Sequence, residues 1–431
     1  MKKNHLFGMF AMAAFSFASC SQDEVVTQSP EVNKAIEFGT YVGRDAVSRG
    51  HVTTINKLAS EGFGVFAYYT GGDNFETDIT TATPNFMYNQ KVTSTSGAAG
   101  EADGNGVVSW TGDWVYTPVK YWPNNVDDKV SFFAYAPYDA GSGGNFTLPL
   151  SNATGVPSLT FAVSTDDVED HQDLLWAAPV MNQSKNSDNP VNIDSKVNFD
   201  FKHALARIGF KAEVLVDKVN TDGTGQADGT NITSVDLDAF TTITIKSVKL
   251  IGKFYSQGTM SLKDGTWSSQ ETPANAVTFE LNNTTTSDFA SRTTPSDDAN
   301  IFKSGDIAIR QLNNDENYIM IIPQNFTANG DAAPGKLKMV VEYEVFTDLD
   351  KDGTLDANDS KVTNTITSEE FALNFVQGNA YSLNIHIGMT SVKFSATVQN
   401  WNEVGDWAVN VPLNTETQTP APAPEPAGSE S

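Results

Sequence analysis

Apolar side chains recur at every second position along much of this chain, and that period decides the fold class. Such alternation turns one face of an extended segment to a core and the other to water, as in antiparallel sandwich strands. We therefore predict an all-β protein, with one short helix over residues 54–60. The clearest runs are Leu337, Met339, Val341, Tyr343 and Val345; Tyr381, Leu383, Ile385 and Ile387; Val392, Phe394, Ala396 and Val398; and Ala204, Ala206, Ile208, Phe210, Ala212 and Val214.

Polar segments divide the chain into candidate domains. Residues 182–197 are rich in Asn, Ser, Asp and Pro, which predicts a connection and not a strand. We expect one β-sandwich domain over residues 35–190 and a second over residues 191–413, both of ordinary domain size. Residues 414–431 are rich in Pro, Glu, Thr and Ala and cannot form a core, so they are predicted to be disordered.

The N-terminus has the features of an export signal. Lys2 and Lys3 precede an apolar run over residues 6–18 that is too short to span a bilayer. Small residues then lead to Cys20, so residues 1–19 read as a lipoprotein signal peptide and Cys20 as the lipidated residue. Residues 20–34 form a linker. This predicts an outer membrane lipoprotein at the cell surface, held by the two or more acyl chains that stable anchoring needs.

The cysteine content and the net charge exclude an intrachain disulfide and two classes of binding partner. Cys20 is the single cysteine among 431 residues, so this exported chain has no intrachain disulfide. The 53 acidic and 27 basic residues give a formal net charge of −26. A field of that sign repels nucleic acid and anionic lipid head groups, and both are excluded as partners.

One segment carries the spacing of a calcium-binding loop. Residues 348–359 read DLDKDGTLDAND, with carboxylates at positions one, three and five and a glycine at position six. The predicted Ca²⁺ ligands are Asp348, Asp350, Asp352, the Thr354 carbonyl, Asp356 and Asp359. Predicted strands flank the loop at residues 341–346 and 362–366. A bound ion would therefore clamp a hairpin and would not open a helix pair as in a sensor.

Motifs for enzymatic chemistry are missing from the sequence. The five histidines, which include His203, show no metal-ligand spacing, and no nucleophile elbow or phosphate-binding glycine loop occurs. Trp114, Tyr116, Tyr121 and Trp122 are predicted to be core and strand aromatics. We predict that the chain is not an enzyme.

A series of short segments lies in a fixed order along the chain. The segments are IEFGT (36–40), SRG (48–50), GFGVFAYY (62–69), WVYTP (114–118), KYWP (120–123), VSFFAYAP (130–137), DLLWA (173–177), FDFKHALARI (199–208), YIMIIP (318–323) and GNAYSL (378–383). In this order they resemble the fimbrillins, from about residue 35 to about residue 407. The resemblance implies two transthyretin-like sandwiches in tandem and a role in a type V pilus of a Bacteroidota-type bacterium.

The same resemblance implies assembly by strand exchange with other fimbrillin subunits. A protease would cut after Arg49, or alternatively Arg44, and release the strand at residues 35–42, in which Ile36 and Phe38 face inward. The implied donor strand is Trp407, Val409, Val411 and Leu413, although Pro412 interrupts it and a polar tail follows. These departures leave stalk, tip, accessory and anchor subunits open.

Two alternatives of other classes remain beside the fimbrial subunit. A surface glycan-binding lipoprotein, or a pilus anchor that keeps its lipid, would share the signal, the acidity and the sandwiches. An adhesive subunit would contact host or bacterial surface glycans or proteins. A secreted hydrolase would need a cleft with a perturbed acid, to which the sequence does not point.

Overall fold

The computed structural model describes residues 34–42, 53–94, 96–100, 108–141, 144–165, 168–185, 196–214, 219–220, 232–233, 237, 239–282, 300–303, 309–313, 318–326, 335–352, 356, 358–388, 392–400 and 411–413. Strands dominate these residues, which confirms the all-β prediction. The helical segments described are α1 (Ile55–Glu61), α2 (Phe75–Asp78) and a single 3₁₀ turn (Val168–Asp170).

The strands of the first half lead up to residue 203. They are β1 (Glu37–Val42), β2 (Phe63–Gly71), β3 (Met87–Val92), β4 (Val108–Ser109), β5 (Lys129–Ala136), β6 (Phe146–Thr147), β7 (Ser158–Ala162), β8 (Leu175–Ala177), β9 (Val180–Gln183) and β10 (Lys196–His203).

The strands of the second half begin at residue 206. They are β11 (Ala206–Val214), β12 (Val219–Asn220), β13 (Ile232–Thr233), β14 (Thr241–Gly252), β15 (Gln257–Ser261), β16 (Trp267–Glu271), β17 (Val277–Asn282), β18 (Ile301–Phe302), β19 (Arg310–Gln311), β20 (Ile319–Ile321), β21 (Gln324–Phe326), β22 (Lys338–Thr347), β23 (Ser360–Thr367), β24 (Leu373–Phe375), β25 (Asn379–Ile387), β26 (Val392–Asn400) and β27 (Val411–Leu413).

An eight-stranded sheet organises the first half, in the order β3-β2-β5-β8-β10-β1-β4, with β9 on β5. Its central strands do not alternate between core and water: β5 buries seven of its eight residues, and β2 buries its first six. One face packs on α1, Trp114 and Trp122. The other face packs on a separate four-stranded sheet. A strand that is covered on both faces has no solvent-exposed face, and this explains its continuous apolar sequence.

That four-stranded sheet, in the order β16-β15-β7-β6, joins the two halves of the chain. β7 pairs antiparallel with β15 from Ser158↔Ser261 to Ala162↔Gln257. β10 lies in the first sheet, where it pairs with β1 and β8, although it follows the division expected after residue 190. Strand pairing therefore carries the first sheet through to His203.

The second half contains two larger sheets that enclose one core. Their orders are β19-β11-β25-β26-β27, with β20 on β11, and β17-β14-β22-β23, with β18 on β14. Inward side chains of β11, β14, β22 and β25 belong to the same apolar cluster, so the two sheets form a sandwich. The alternating runs predicted for β22, β25 and β26 are confirmed as strands.

The predicted short helix is confirmed as α1, and its caps explain its limits. Thr54 caps the N-terminus by accepting a hydrogen bond from the Lys57 N–H at 3.2 Å. Gly62 ends the helix with a φ of 83°, which a residue without Cβ adopts freely. Ile55 and Leu58 face the core, so α1 covers the sheet that holds β1.

The predicted core aromatics divide into two groups. Trp114 and Trp122 are buried, and Tyr116 packs on the same core. Tyr121, in contrast, is 49% exposed. Tyr121 precedes the buried Trp122 in bridged, extended backbone, where successive side chains point to opposite faces, so its ring faces outward.

Candidate functional site

β1 is an inner strand whose backbone is hydrogen-bonded on both edges. On one edge it runs parallel to β10, from Glu37↔Lys196 to Val42↔Phe201. On the other edge its end pairs with β4. Just before β1, the Ile36 N–H donates to the Lys120 carbonyl at 2.9 Å. Removal of this segment would leave two unsatisfied backbone edges that face each other across a slot.

The inward side chains of this segment fill an apolar cleft. Ile36, Phe38 and Val42 are each 1% exposed, which confirms the predicted inward orientation of Ile36 and Phe38. Four rings surround Phe38, with centroid distances of 5.3, 5.8, 6.1 and 6.2 Å to Tyr116, Phe199, Phe63 and Phe132. Aromatic pairs in this range add to the free energy of burial. Phe38 is therefore the anchor of β1.

Tyr116 also fixes the backbone that leads into β1. Its hydroxyl donates to the Ile36 carbonyl at 2.8 Å. Burial raises the pKa of the Tyr116 hydroxyl, so this group remains a protonated donor throughout the physiological range. The contact ties the loop between β4 and β5 to the start of β1.

The chain is anchored again shortly after the predicted cleavage sites. Arg44 and Arg49 lie outside the described residues, as does Cys20. The Thr53 N–H donates to Asp173 Oδ2 at 2.9 Å, and His203 Nδ1 lies 2.9 Å from the same oxygen. Asp173 and His203 are almost completely buried.

Reasoning from the sequence missed this anchor. From the sequence, His203 was placed only among the histidines without metal-ligand spacing, and Asp173 had no expected role. The available signal was an acidic residue two positions before the apolar strand β8.

The predicted donor strand is described in part. Trp407 and Val409 lie outside the described residues, whereas Val411 and Leu413 belong to β27. β27 pairs antiparallel with β26, with Pro412 opposite Ser395. The segment is thus a three-residue strand on the edge of the chain's own second sandwich. Its service as a donor remains a prediction.

The acidic loop connects β22 to β23, which pair from Val340↔Thr367 to Thr347↔Ser360. One carboxylate oxygen from each of Asp348, Asp350 and Asp352 can be chosen so that all three lie within 4.8 Å of one another. Asp348 is 4% exposed and the other two are exposed. Like charges this close repel one another, and oxygen ligands in this arrangement suit Ca²⁺. The predicted ligand Thr354 lies outside the described residues.

Hydrogen bonds hold the loop closed at its base. Asp359 accepts the Leu349 N–H through Oδ1 and the Asp356 N–H through Oδ2, both at 2.9 Å. Asn358 Nδ2 donates to Asp350 Oδ2 at 3.1 Å. Asp359 therefore links the two ends of the loop, while the cluster of carboxylate oxygens consists of Asp348, Asp350 and Asp352.

A carboxylate, an imidazole and a hydroxyl are aligned on the outer face of the second sandwich. His386 lies 2.6 Å from Glu213 Oε1 through Nδ1 and 3.0 Å from Ser395 Oγ through Nε2. This order is the one that serine hydrolases use. Glu213 lies on β11, His386 on β25 and Ser395 on β26, and β25 is paired with the other two strands along their length. Amides used in that ladder cannot form an oxyanion hole, so we interpret the array as cross-strand stabilisation.

Comparison with known proteins finds relatives of this chain among fimbrial proteins. The family model described as fimbrillin-like matches residues 52–401. The chain is 29% identical over 422 residues to the fimbrium subunit Fim1C of Phocaeicola vulgatus, covering 94% of this chain and 98% of that protein. The crystal structure of a fimbrial protein from Bacteroides vulgatus is 26% identical, with a TM-score of 0.58, covering 86% of this chain and 100% of that one.

These features define a β-rich structural protein with no assembled catalytic centre in the part of the chain described. The chain belongs to the fimbrillin-like family, whose members are structural subunits of fimbriae and not enzymes. Among the helices within the described ranges, none combines the length and hydropathy required to cross a membrane.

Proposed function

We propose that this protein is a structural and adhesive subunit of a surface fimbria, assembled by β-strand exchange. Membership of the fimbrillin-like family and the similarity to the fimbrium subunit Fim1C support the fimbrial role. Cleavage after Arg49, or after Arg44, releases the N-terminal strand. A strand from another subunit then takes its place.

The observation that carries the proposal is the position of β1 within its sheet. A strand that is paired on both edges and anchored by Phe38 leaves a deep slot when it is removed. Main-chain hydrogen bonds then give an incoming strand its affinity, and the side-chain pockets give it specificity. The anchor at Thr53 keeps the new N-terminal end attached beside the slot.

Before cleavage, the lipid on Cys20 holds the subunit at the outer membrane. Cleavage after Arg49 or Arg44 separates the lipidated segment from the rest of the chain and so frees the subunit for assembly. A subunit that keeps its lipid serves instead as the anchor of the fimbria or as a glycan-binding lipoprotein.

We also propose that the loop at residues 348–359 binds a structural Ca²⁺. The clustered oxygens of Asp348, Asp350 and Asp352 support this ligand set, with Asp356, Asp359 and the Thr354 carbonyl completing it. The ion would offset the repulsion among the carboxylates and stiffen the hairpin of β22 and β23. It has no part in strand exchange.

Mass spectrometry of the N-terminus of the surface protein, isolated from its native host, tests the main proposal. A chain that begins at Gly50 and forms ladders in unboiled detergent gels supports assembly by strand exchange. A monomeric chain that begins at acylated Cys20 contradicts it and points to the anchor or glycan-binding alternative.

Two single substitutions distinguish the cleavage sites. Arg49→Ala is expected to abolish processing and ladders, whereas Arg44→Ala leaves both unchanged. If Arg44→Ala alone blocks processing, the site is Arg44 and the strand is still released. Processing that survives both substitutions together contradicts cleavage at this segment.

A further inference from the structure

The connection between β7 and β8, residues 163–174, leaves the first half of the chain and packs against the second half. The Val163 N–H donates to the Ser256 carbonyl at 2.8 Å. Val168 is 6% exposed and belongs to the apolar cluster of the second sandwich. His171 is 2% exposed, and its ring centroid lies 5.0 Å from that of Phe279 on β17. The β7–β8 connection is therefore docked on the second half at these points, and His171 is the last of them.

The hydrogen bonds of His171 fix the position of its ring proton. The Met320 N–H donates to Nδ1 at 2.9 Å, and Nε2 lies 3.0 Å from the Ser164 carbonyl oxygen. A backbone N–H can only donate and a backbone carbonyl can only accept. Nδ1 must therefore be the unprotonated nitrogen, and Nε2 must carry the proton. Both ring nitrogens are satisfied in this one neutral form.

This arrangement makes a proton on Nδ1 costly. Met320 lies on β20, which pairs with β11 through Arg207, and its N–H is directed at the imidazole. A proton on Nδ1 would set two donors against each other and leave the buried Met320 amide without its acceptor, at the full desolvation cost of that group. It would also place a positive charge on a buried ring. The docked form of the connection therefore holds His171 neutral.

The titratable and charged groups around His171 come from its own turn and from the elements packed against it. Glu169 and Asp170 are exposed to water, which screens their attraction for a charged ring. Asp166 and Asp167 lie outside the described residues. The others are Asp173 with its partner His203, Glu280 with its partner Lys249, and Tyr318 with Arg207 stacked on its ring. Arg207 opposes a second positive charge, so the hydrogen bonds of the ring decide whether it takes up a proton.

We propose that His171 is an acid-sensitive latch, which holds the β7–β8 connection on the second half of the chain and releases it when the ring is protonated. The latch acts within a single chain and does not depend on strand exchange. A released histidine takes up its proton near pH 6.5, whereas the docked one excludes it. The latch is therefore at full strength above about pH 6.5, and it weakens as the pH falls below that value.

Hydrogen exchange at the Met320 amide tests the latch in the full chain. Rates are measured from pH 7.5 to pH 5 and divided by the intrinsic rate of an unstructured amide at each pH, which gives a protection factor. Because each opening takes up one proton, the protection factor is expected to fall about tenfold for each pH unit below about 6.5. Equal protection at pH 7.5 and pH 5 overturns the proposal.

One substitution separates the latch from a general effect of acid. In His171→Asn, the side-chain carbonyl oxygen takes the place of Nδ1 and accepts the Met320 N–H at every pH. The protection of Met320 should then no longer depend on pH. His386→Asn, on the outer face of the second sandwich, is the matched control and should keep the pH dependence of the native chain. A pH dependence that survives in His171→Asn overturns the proposal.

Nitrogen chemical shifts of the His171 ring provide a test that needs no variant and decides the matter if His171→Asn does not fold. The native chain is expected to show an unprotonated Nδ1 and a protonated Nε2, and to keep this neutral form at pH 5.5, about one unit below the ordinary midpoint. A proton on Nδ1 at neutral pH, or a titration midpoint at or above 6.5, overturns the latch.

Discussion

His203 Nδ1 and Asp173 Oδ2 lie 2.9 Å apart, with side-chain exposures of 2% and 0%. The pair joins the end of β10 to the segment before β8, and the Thr53 N–H adds a third connection through the same carboxylate. Three separate parts of the chain therefore meet beside the slot that β1 occupies. Removing one partner of such a buried pair is strongly destabilising, because the other partner is left buried and uncompensated.

Replacing Asp173 tests the anchor. Asp173→Ala removes the acceptor of both Thr53 and His203, so unfolding in urea should show a loss of about 3–5 kcal/mol. Hydrogen exchange at the Thr53 amide should accelerate as well. The exposed Asp170, replaced by Ala, is the matched control and should change the free energy of unfolding by less than about 0.5 kcal/mol. Unchanged exchange at Thr53 would contradict the anchoring role.

Phe38 is expected to stabilise the uncut subunit more than any other residue of β1. Phe38→Ala leaves a cavity among four rings, and such a truncation costs about 3–5 kcal/mol. Chemical denaturation of the uncut chain provides the measurement. Glu37→Ala, at an exposed position of the same strand, is the control. A loss below about 1 kcal/mol for Phe38→Ala would show that β1 is not held by this pocket.

Filling the slot more favourably should stabilise the resident strand. Thr40→Val removes a buried hydroxyl that has no partner, so the uncut chain should gain about 1 kcal/mol or more. Release of the cut strand should be slower for the same reason, because the substituted strand binds the slot more tightly. Thr160→Val is the contrasting variant, since its hydroxyl is paired with that of Thr259 at 2.8 Å and its loss should destabilise. No gain from Thr40→Val would indicate that the hydroxyl is satisfied.

Calcium should raise the thermal midpoint of the second sandwich. At 100 times the dissociation constant, binding to the folded state alone adds about 2.7 kcal/mol. Asp350→Ala should abolish both the shift and the heat of binding measured by calorimetry, because it removes a central ligand. Asp73→Ala, at an exposed acidic position elsewhere, should leave both intact. Absence of any calcium effect on the native chain would contradict the site.

The stability of the first half should depend on pH through Glu61. Burial raises the pKa of Glu61 above 4.5. Lys57 lowers this pKa in part, and the nearby Asp173 raises it further. The folded state therefore binds this proton more tightly than the unfolded chain. Its contribution to stability is complete below pH 4.5 and is lost as the pH rises through the raised value.

Glu61→Gln should remove that decline, as followed by thermal unfolding from pH 4 to pH 7. The exposed Glu369, replaced by Gln, is the control and should leave the pH profile unchanged. An identical profile for the native chain and Glu61→Gln would contradict the assignment to Glu61.

The sequence by itself determined the local structure of this protein. Alternation identified β22, β25 and β26, because a strand with one buried face repeats with period two whatever its partners are. A threonine cap and a following glycine marked α1. The spacing of the aspartates indicated that Asp348, Asp350 and Asp352 lie close together, since side chains on a short loop are placed by their positions in the chain.

Only the tertiary structure decided which strands are neighbours. The parallel pairing of β1 with β10, and that of β7 with β15 across the two halves, joins residues far apart in the chain. The burial of Asp173 against His203 depends on those pairings, and so does the cluster of rings around Phe38. The alternation of residues in the sequence predicts which side chains of a strand face inward. The pocket that receives those side chains is built by contacts between residues far apart in the chain. The pocket of the β1 slot therefore became visible only in three dimensions.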